Sequence, residues 1–327
     1  MEHIPHPEPG LDYPRTFEEF EARFHNEVAC REYLQHLRWG SGFKCHACGA
    51  CSSPLFLRRG RLKCRACRRE SSITAGTVFQ DTRKPLRKWF LVMWFVTSQK
   101  FGASALGLKR ALGFGSYETA WTWLHKLRRA MVRPGRDRLT GEVEVDETFV
   151  GGVEKGGGGR HIGKKALVAV AAEVRGKGIG RIRLARIADS TSGSVLPFVE
   201  QSVEEGATVI TDGLQSYACL NLLGYTHKRR VVLGSGKHAD TLLPGVHRVA
   251  ALLKRWLLGT HQGAVDRKHL EYYLDEFTFR FNRRTSRAPG LLFHRLAQQA
   301  VLTGPAPYKD LVADPGGGAR KLVASKG

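Results

Sequence analysis

Four cysteines carry the most specific chemical signal in the chain. Cys45 and Cys48 form one Cys-x-x-Cys pair and Cys64 and Cys67 a second, with fifteen residues between them. Two such knuckles can set four thiolates tetrahedrally around one structural Zn²⁺, and Gly49 suits the tight turn that aims the first pair. A redox reading fits less well, because redox Cys-x-x-Cys motifs do not usually come in twos at this separation. Cys48 and Cys51 also make a Cys-x-x-Cys, and Cys51 is read as a spare. Cys30 and Cys219 stand alone and are expected to be small buried hydrophobes.

Carboxylates supply a second chemistry. Asp146 lies in Glu142-Val143-Glu144-Val145-Asp146-Glu147-Thr148-Phe149, a strand pattern alternating acidic and apolar positions. Asp212 ends the run Val209-Ile210-Thr211 and precedes Gly213. Acids at the ends of neighbouring strands can share divalent metal ions, and a metal pair activates water and a leaving oxygen in phosphodiester chemistry. Taken singly, Asp146 is an acid on a solvated strand face and Asp212 a turn residue. Thirty-four residues separate Asp212 from His247. His247 and Lys254 stack two turns apart on the face of a helix opposite Val249, Leu252, Leu253, Trp256 and Leu257. An ordinary exposed helix face is the plain alternative, and Asp240 in the preceding loop is the fallback acid. Gly158 to Lys165 nearly spells a phosphate-binding P-loop. It lacks the closing Ser/Thr and precedes an apolar strand, so it reads as a loop between strands.

These residues need elements to hold them. Residues 14–38 have helical spacing, and the ribbon spans 41–80, with short strands at 55–57 and 73–79. Residues 85–133 read as three helices, the first opening at Pro85 with the core stripe Trp89, Phe90, Met93 and Val96. The second and third, 103–112 and 117–132, are joined by Gly113-Phe114-Gly115-Ser116 in a helix-turn-helix pattern. Thr119, Thr122, His125, Lys126, Arg128 and Arg129 form the polar face of the last helix, and Thr119, Thr122, Lys126, Arg128 and Arg129 are the candidate DNA contacts. A plain helical connector is the rival. From residue 142 strands are expected at 142–149, 166–174, 181–187 and 208–211. Helices are expected at 195–203, 245–258 and 266–284, with a variable stretch around Val231 to Leu233. That order indicates a mixed α/β sheet covered by helices. Glu276, Arg280 and Arg283 share one face of the last helix, which in the simplest case is an exposed ion pair. The Gly-, Pro- and Lys-rich end, from Gly304 onward, reads as a flexible tail.

Charge narrows the class of partner. Lys and Arg total 52 against 30 acidic residues, a net charge of +22. A chain so basic at 327 residues usually meets a polyanion, with nucleic acid first and a merely basic surface or ribosome association as the alternative. Apolar residues at 42% and charged residues at 25% exclude full-length disorder. The longest apolar run, Trp89 to Val96, falls far short of the ~20 residues of a membrane span. The first thirty residues have no apolar signal core, so an intracellular protein with no membrane partner is expected.

At this point the chain resembles the bacterial insertion-sequence transposases with an N-terminal zinc ribbon and a DDE-type, RNase H-like catalytic domain. The resemblance covers about residues 15–300 and rests on the two cysteine knuckles, Val145-Asp146-Glu147-Thr148-Phe149-Val150-Gly151-Gly152, and Thr211-Asp212-Gly213. It continues through His247 to Lys254, Leu274-Asp275-Glu276-Phe277, and Arg280-Phe281-Asn282-Arg283-Arg284. It implies a multidomain chain. A helical segment would occupy 1–40, the zinc ribbon 41–80, a helix-turn-helix-like DNA-binding domain 81–135, the RNase H-like domain 136–300 and the tail 301–327. It implies Asp146 and Asp212 as ligands of two Mg²⁺ or Mn²⁺ ions, with His247 at the family's third position, where many members have Glu or Asn. Lys254 would contact DNA near the cut, and Arg280 and Arg283 would hold DNA or organise the site. The implied activity is 3′-end cleavage and strand transfer on terminal inverted repeats and target DNA, by a homodimer or larger assembly at the bacterial nucleoid in the cytoplasm. Two rivals share these features: a DNA-binding regulator with an inactive catalytic domain, and a nuclease that cuts without joining.

Overall fold

The computed structural model describes residues 6–40, 42–57, 61–133, 135–151, 165–231, 239–263 and 265–313, with backbone only at 239 and 240. The chain divides into two compact units, residues 1–133 with 285–311 and residues 134–284 with 312–327. No helix among the described residues is long and apolar enough to cross a membrane.

The first unit opens with α1 (Phe17–Arg23) and α2 (Glu27–Trp39). The helical stretch expected over 14–38 is thus two helices. Asn26 divides them by accepting a hydrogen bond from the Ala29 amide as the cap of α2. The ribbon follows as an antiparallel sheet of β1 (Leu55–Phe56), β2 (Arg61–Lys63) and β3 (Glu70–Ser72). The strand expected at 73–79 is a series of turns, with Ala75 N–H donating to Ser72 O and Thr77 N–H to Thr74 O. Gly76 sits there at φ +74, and Val78 and Phe79 are buried as anchors of the turns. Next come α3 (Leu86–Ser98), α4 (Ala105–Leu112) and α5 (Tyr117–Ala130). Ser104 caps α4, Gly113 ends it in the left-handed region at φ +63, and Ser116 caps α5. Trp89 of α3 stacks on Trp123 of α5 with ring centroids 3.6 Å apart.

The second unit is built on a five-stranded sheet. Its strands are β4 (Glu142–Val150), β5 (Ala166–Arg175), β6 (Gly178–Ile187), β7 (Thr208–Thr211) and β8 (Thr226–Arg229), in the order β6-β5-β4-β7-β8. β4, β5 and β6 form an antiparallel meander, and β7 and β8 add in parallel beyond β4. β8 is polar (Thr-His-Lys-Arg) and was not expected. The apolar run Val231 to Leu233 follows it, and residues 232 and 233 lie outside the described residues. The helices are α6 (Ser192–Ser202), a 3-10 helix at Gln215–Leu223, α7 (Ala239–Leu242), α8 (Pro244–His261) and α9 (Leu270–Phe281). One core joins α6 and the 3-10 helix to Val143, Val145, Ala169 and Val209. The other joins α8 and α9 to Val168, Val170, Ile182 and Ile210. β5 is therefore buried on both faces, which explains its unbroken apolar run.

The C-terminal segment corrects the expected boundary at 300. Residues 285–311 return to the first unit, where α10 (Pro289–Leu302) packs on α2, α3 and α5. Phe293 of α10 lies edge-on to Phe20 at 5.4 Å and joins the same aromatic cluster as Phe24 and Phe90. Burial holds the His294 imidazole down at about pKa 4, so it is neutral. It donates from Nδ1 to the Tyr33 hydroxyl (2.7 Å), which in turn donates to Asp12 O (3.0 Å). The segment expected as a tail contains α11 (Tyr308–Val312), with Leu311 buried, and residues 314–327 lie outside the described residues.

The free edge of β6 is closed by side chains from the first turn of α9 and from just beyond its end. Ile182 N–H donates to Asn282 Oδ1 (2.7 Å) while Asn282 Nδ2 donates to Ile182 O (3.2 Å), so the amide side chain imitates a neighbouring strand. Arg186 N–H donates to Glu271 Oε1 (2.5 Å), and the Arg284 guanidinium donates to the carbonyls of Gly180 (3.2 Å) and Ile179. Replacing Asn282 with Ala should destabilise the protein by about 1–3 kcal/mol, the penalty for stranding a paired donor and acceptor. Hydrogen exchange at the Ile182 amide checks this: it should speed up by roughly tenfold or more, and unchanged protection would refute the edge-closing role.

Candidate catalytic and metal sites

The ribbon brings its four cysteines to one point. Cys45 Sγ lies 3.8 Å from Cys67 Sγ and Cys48 Sγ 3.8 Å from Cys64 Sγ, and all four sulfurs fall within 4.8 Å of one another. A tetrahedron with Zn–S bonds of about 2.3 Å has S···S edges of about 3.8 Å, so the donor set fits zinc. Disulfide sulfurs would be about 2.05 Å apart. Each knuckle closes with the same hydrogen bond, Gly49 N–H to Cys45 O (2.9 Å) and Arg68 N–H to Cys64 O (3.0 Å). Both closing residues are left-handed, at φ +73 and φ +59, so Arg68 stands where the first knuckle uses glycine. Cys51 is exposed and donates to Gly49 O, outside the set. Cys30 is buried as expected, whereas Cys219 is exposed on the 3-10 helix, which corrects that expectation.

On the sheet, register brings the two aspartates to one level. Glu144 of β4 pairs with Ile210 of β7 in parallel, and Asp146 and Asp212 each lie two residues further along. Glu144 and Ile210 both face the α8 side, so by the two-residue period Asp146 and Asp212 share that face. Asp212 Oδ1 accepts from Leu214 N–H (3.0 Å) in a turn where Gly213 adopts φ +87. His247, in the first turn of α8, places Nε2 3.6 Å from Asp146 Oδ2. Burial pushes the Asp146 carboxyl up to about 6, the Asp212 charge adds to this, and the Glu147 amide and His247 oppose it. Among the described residues the four cysteines are the one set of three or more ligating groups within 4.8 Å of each other. Asp146, Asp212 and His247 are looser than that. Asp240 is the second residue of α7, and its side chain lies outside the described residues, as does nearly all of the P-loop-like segment.

Two acids beside Asp146 do work that the alternation concealed. Glu144, on the supposedly solvated face, is buried and accepts hydrogen bonds from the first turn of α8. Glu147 takes the apolar-face position that follows Val143 and Val145, and its Oε1 accepts from the buried Tyr217 hydroxyl (2.6 Å). Burial pushes the Glu147 carboxyl up to about 7, the Tyr217 hydrogen bond resists this, and the charges of Asp146 and Asp212 add to it. The available signal was an acid at a position that the two-residue period assigns to the core.

The remaining candidates divide. Lys254 is exposed on α8, and partial burial with the neighbouring Lys165 cation lowers its pKa. Thr119 belongs to the cap of α5, where its amide donates to Ser116 Oγ (3.0 Å) and its hydroxyl lies 2.8 Å from that atom. Thr122, Lys126 and Arg129 are half-buried on α5. Arg128 is 2% exposed, and His125 is also buried, against Trp121. Arg128 therefore leaves the set of candidate DNA contacts, and His125 the expected polar face, because α5 is covered on more than one side. A basic cleft lined by Lys84, Arg87, Lys88, Ser116 and Thr119 opens beside the α4–α5 turn. The expected exposed pair on α9 is buried instead, with Arg280 Nε donating to Glu276 Oε1 (2.9 Å). Arg283 follows α9, donating to Phe279 O and lying over the Phe279 ring at 4.1 Å.

Comparison with known proteins agrees with this layout. Residues 138–282 match the ISXO2-like transposase domain and residues 25–70 the transposase zinc-ribbon domain. An uncharacterised protein in transposable element ISH50 of Halobacterium salinarum is 30% identical over 290 residues, covering 82% of this chain and 94% of the relative.

Two outcomes follow from the site geometry. Purified protein should contain one zinc per chain, lost in Cys48→Ser but kept in Cys51→Ser; the reverse pattern would reject the four-cysteine assignment. Asp146 and Glu147 carry ordinary pKa values of 3.8 and 4.5 but reach about 6 and about 7 in the fold. The native state thus holds extra protons between about pH 4 and 7, so this contribution to stability is full below pH 4 and lost as pH rises through 7. Without added divalent metal, melting temperature should fall across that window. The Asp146→Asn/Glu147→Gln double variant should lose that part of the slope, and an unchanged slope would contradict it.

Proposed function

Because the chain belongs to the ISXO2-like insertion-sequence transposases with an N-terminal zinc ribbon, we propose that it cuts the 3′ ends of its element and joins them to target DNA. The observation that carries this reading is a trio at one face of the sheet: Asp146 on β4 and Asp212 just past β7 at the same level, with His247 of α8 3.6 Å from Asp146. A crowded carboxyl with raised affinity for protons, as at Asp146, is a group that a divalent cation relieves. Asp146 and Asp212 would hold two Mg²⁺ or Mn²⁺ ions and His247 would complete the site. When bound, such ions activate the attacking water or 3′-OH and stabilise the leaving oxygen. Cleavage adds water across the phosphodiester and frees a 3′-OH, and that hydroxyl is the nucleophile of strand transfer.

The protein's own groups would orient the DNA. Lys254 holds a phosphate flanking the cut, on the same helix as His247. The ribbon, with α4 and α5 acting as a helix-turn-helix, recognises the terminal inverted repeats. Thr122, Lys126 and Arg129 meet the DNA, and the basic cleft beside the α4–α5 turn meets its backbone. Arg280 and Arg283 act from inside the sheet unit, as supports of α9 and its C-terminal turn. The sheet with helices on both faces is an RNase H-like catalytic domain in this reading. Two protomers, or more, pair the two element ends at the nucleoid.

Purified protein, end-containing duplex and Mg²⁺ or Mn²⁺, with products resolved on a denaturing gel, test this function. Asp146→Asn and Asp212→Asn should each reduce cutting by on the order of 100-fold or more while end-DNA binding stays near wild type. His247→Ala should be nearly inactive, and Mn²⁺, which accepts nitrogen more readily, should support more activity than Mg²⁺. Cutting at wild-type rate by any of these variants removes that residue from the site. Binding without nicking by the wild type would mark a regulator, and nicking without joining of pre-cut ends a nuclease.

A further inference from the structure

Helix α8 begins without a cap of its own. Leu243 occupies the N-cap with no side-chain hydrogen bond, and Pro244 fills the first position. The amides of the first turn are met from the neighbouring strand instead. Gly245 N–H donates to Glu144 Oε2 at 2.7 Å and Val246 N–H donates to the same oxygen at 3.0 Å. Glu144 is only 3% exposed, and a Cβ at Gly245 would stand 2.7 Å from Glu144 Oε2, so a side chain there would displace the carboxylate from this contact. A carboxylate against the positive end of an 18-residue helix is also favourably placed for the helix dipole.

The position of this contact gives it a consequence for the site. Glu144 lies two residues before Asp146 on the same face of β4, and Val246 directly precedes His247. One carboxylate therefore sets the rise and rotation of α8 against β4 at the turn that carries His247, with Lys254 two turns further on. We propose that Glu144 is a positioning residue for catalysis. It docks α8 on the strand of Asp146 and so holds His247 and Lys254 at their working distance from the two aspartates. This role rests on the assignment of Asp146, Asp212 and His247 as the site of DNA cleavage.

The test compares full-length wild type, Glu144→Ala, Glu144→Gln and Gly245→Ala. Each is measured for single-turnover cleavage at saturating end DNA, affinity for that DNA, and hydrogen exchange at the Gly245 and Val246 amides (at the Val246 amide for Gly245→Ala). In Glu144→Ala protection of these amides should fall. Cleavage should drop on the order of 100-fold, as expected for a displacement of about 1 Å, with DNA affinity within about twofold. Glu144→Gln keeps an oxygen that can accept from both amides and should recover most of the protection and of the cleavage. Gly245→Ala pushes a methyl group into the carboxylate and should reproduce the loss, which carries the test if Glu144→Ala does not fold. A folded Glu144→Ala or Gly245→Ala that cuts within about threefold of wild type overturns the proposal. So does a Glu144→Gln no better than Glu144→Ala. Wild-type protein that cuts nothing overturns the cleavage assignment itself, whereas cutting by both wild type and Glu144→Ala overturns only the positioning role.

Discussion

Strand β4 carries three neighbouring acids largely away from water, Glu144 buried and Asp146 and Glu147 half-buried, and much of the sheet unit is arranged around that constraint. A carboxylate removed from solvent needs hydrogen bonds, opposite charge or a proton. Each of the three finds a different answer. Glu144 takes two amides of α8, Glu147 takes the Tyr217 hydroxyl, and Asp146 faces His247 while its carboxyl is driven toward the protonated form. The residue with the weakest internal compensation is the one beside Asp212. In a chain of net charge +22, three acids so close together on one strand run against the general charge.

The two units solve the problem of small cores differently. The ribbon has strands of only two or three residues, and its apolar cluster is limited to Phe43, Cys45, Leu62 and Cys64 with Trp39 and Ala50 against it. Such a segment depends on its cysteine centre for closure. The helices of the same unit rest on an aromatic cluster that is completed only by Phe293, contributed from the far end of the chain. In the sheet unit Asn282 and Arg284, just beyond α9, serve the β6 edge, while Arg280 and Arg283 bond to residues of α9, so the motif at 280–284 has structural partners before any DNA is considered.

What was legible in the sequence was whatever local pattern dictates. Cysteine spacing, the two-residue period around Asp146, the Gly113 stop and the turn between α4 and α5 all appear at their expected places. What was not legible depends on which neighbour arrives. The period marked Glu144 as solvent-facing because it shows polarity and not the helix laid across it. Arg128 looked like a phosphate contact because a helix wheel does not reveal that α5 is covered on a second side. β8 is a polar edge strand with no apolar face to betray it, and α10 looked like the end of the sheet unit because sequence order is silent about chain return. Asn26 is a readable cap, with the Ala29 amide three residues on, but the helical periodicity running through it hides the break.

The central claim is that Asp146, in the middle of β4, and Asp212, just past the end of β7, form a divalent-cation site. Calorimetric titration of Mn²⁺ into zinc-loaded full-length protein, repeated in buffers of different ionisation enthalpy near pH 6, tests it most directly. The account predicts Mn²⁺ uptake accompanied by proton release, because the Asp146 carboxyl, raised to about 6, must give up its proton to bind metal. Uptake should be lost or strongly weakened in Asp212→Asn. Equal Mn²⁺ uptake by Asp212→Asn, or none by the wild type, would contradict it.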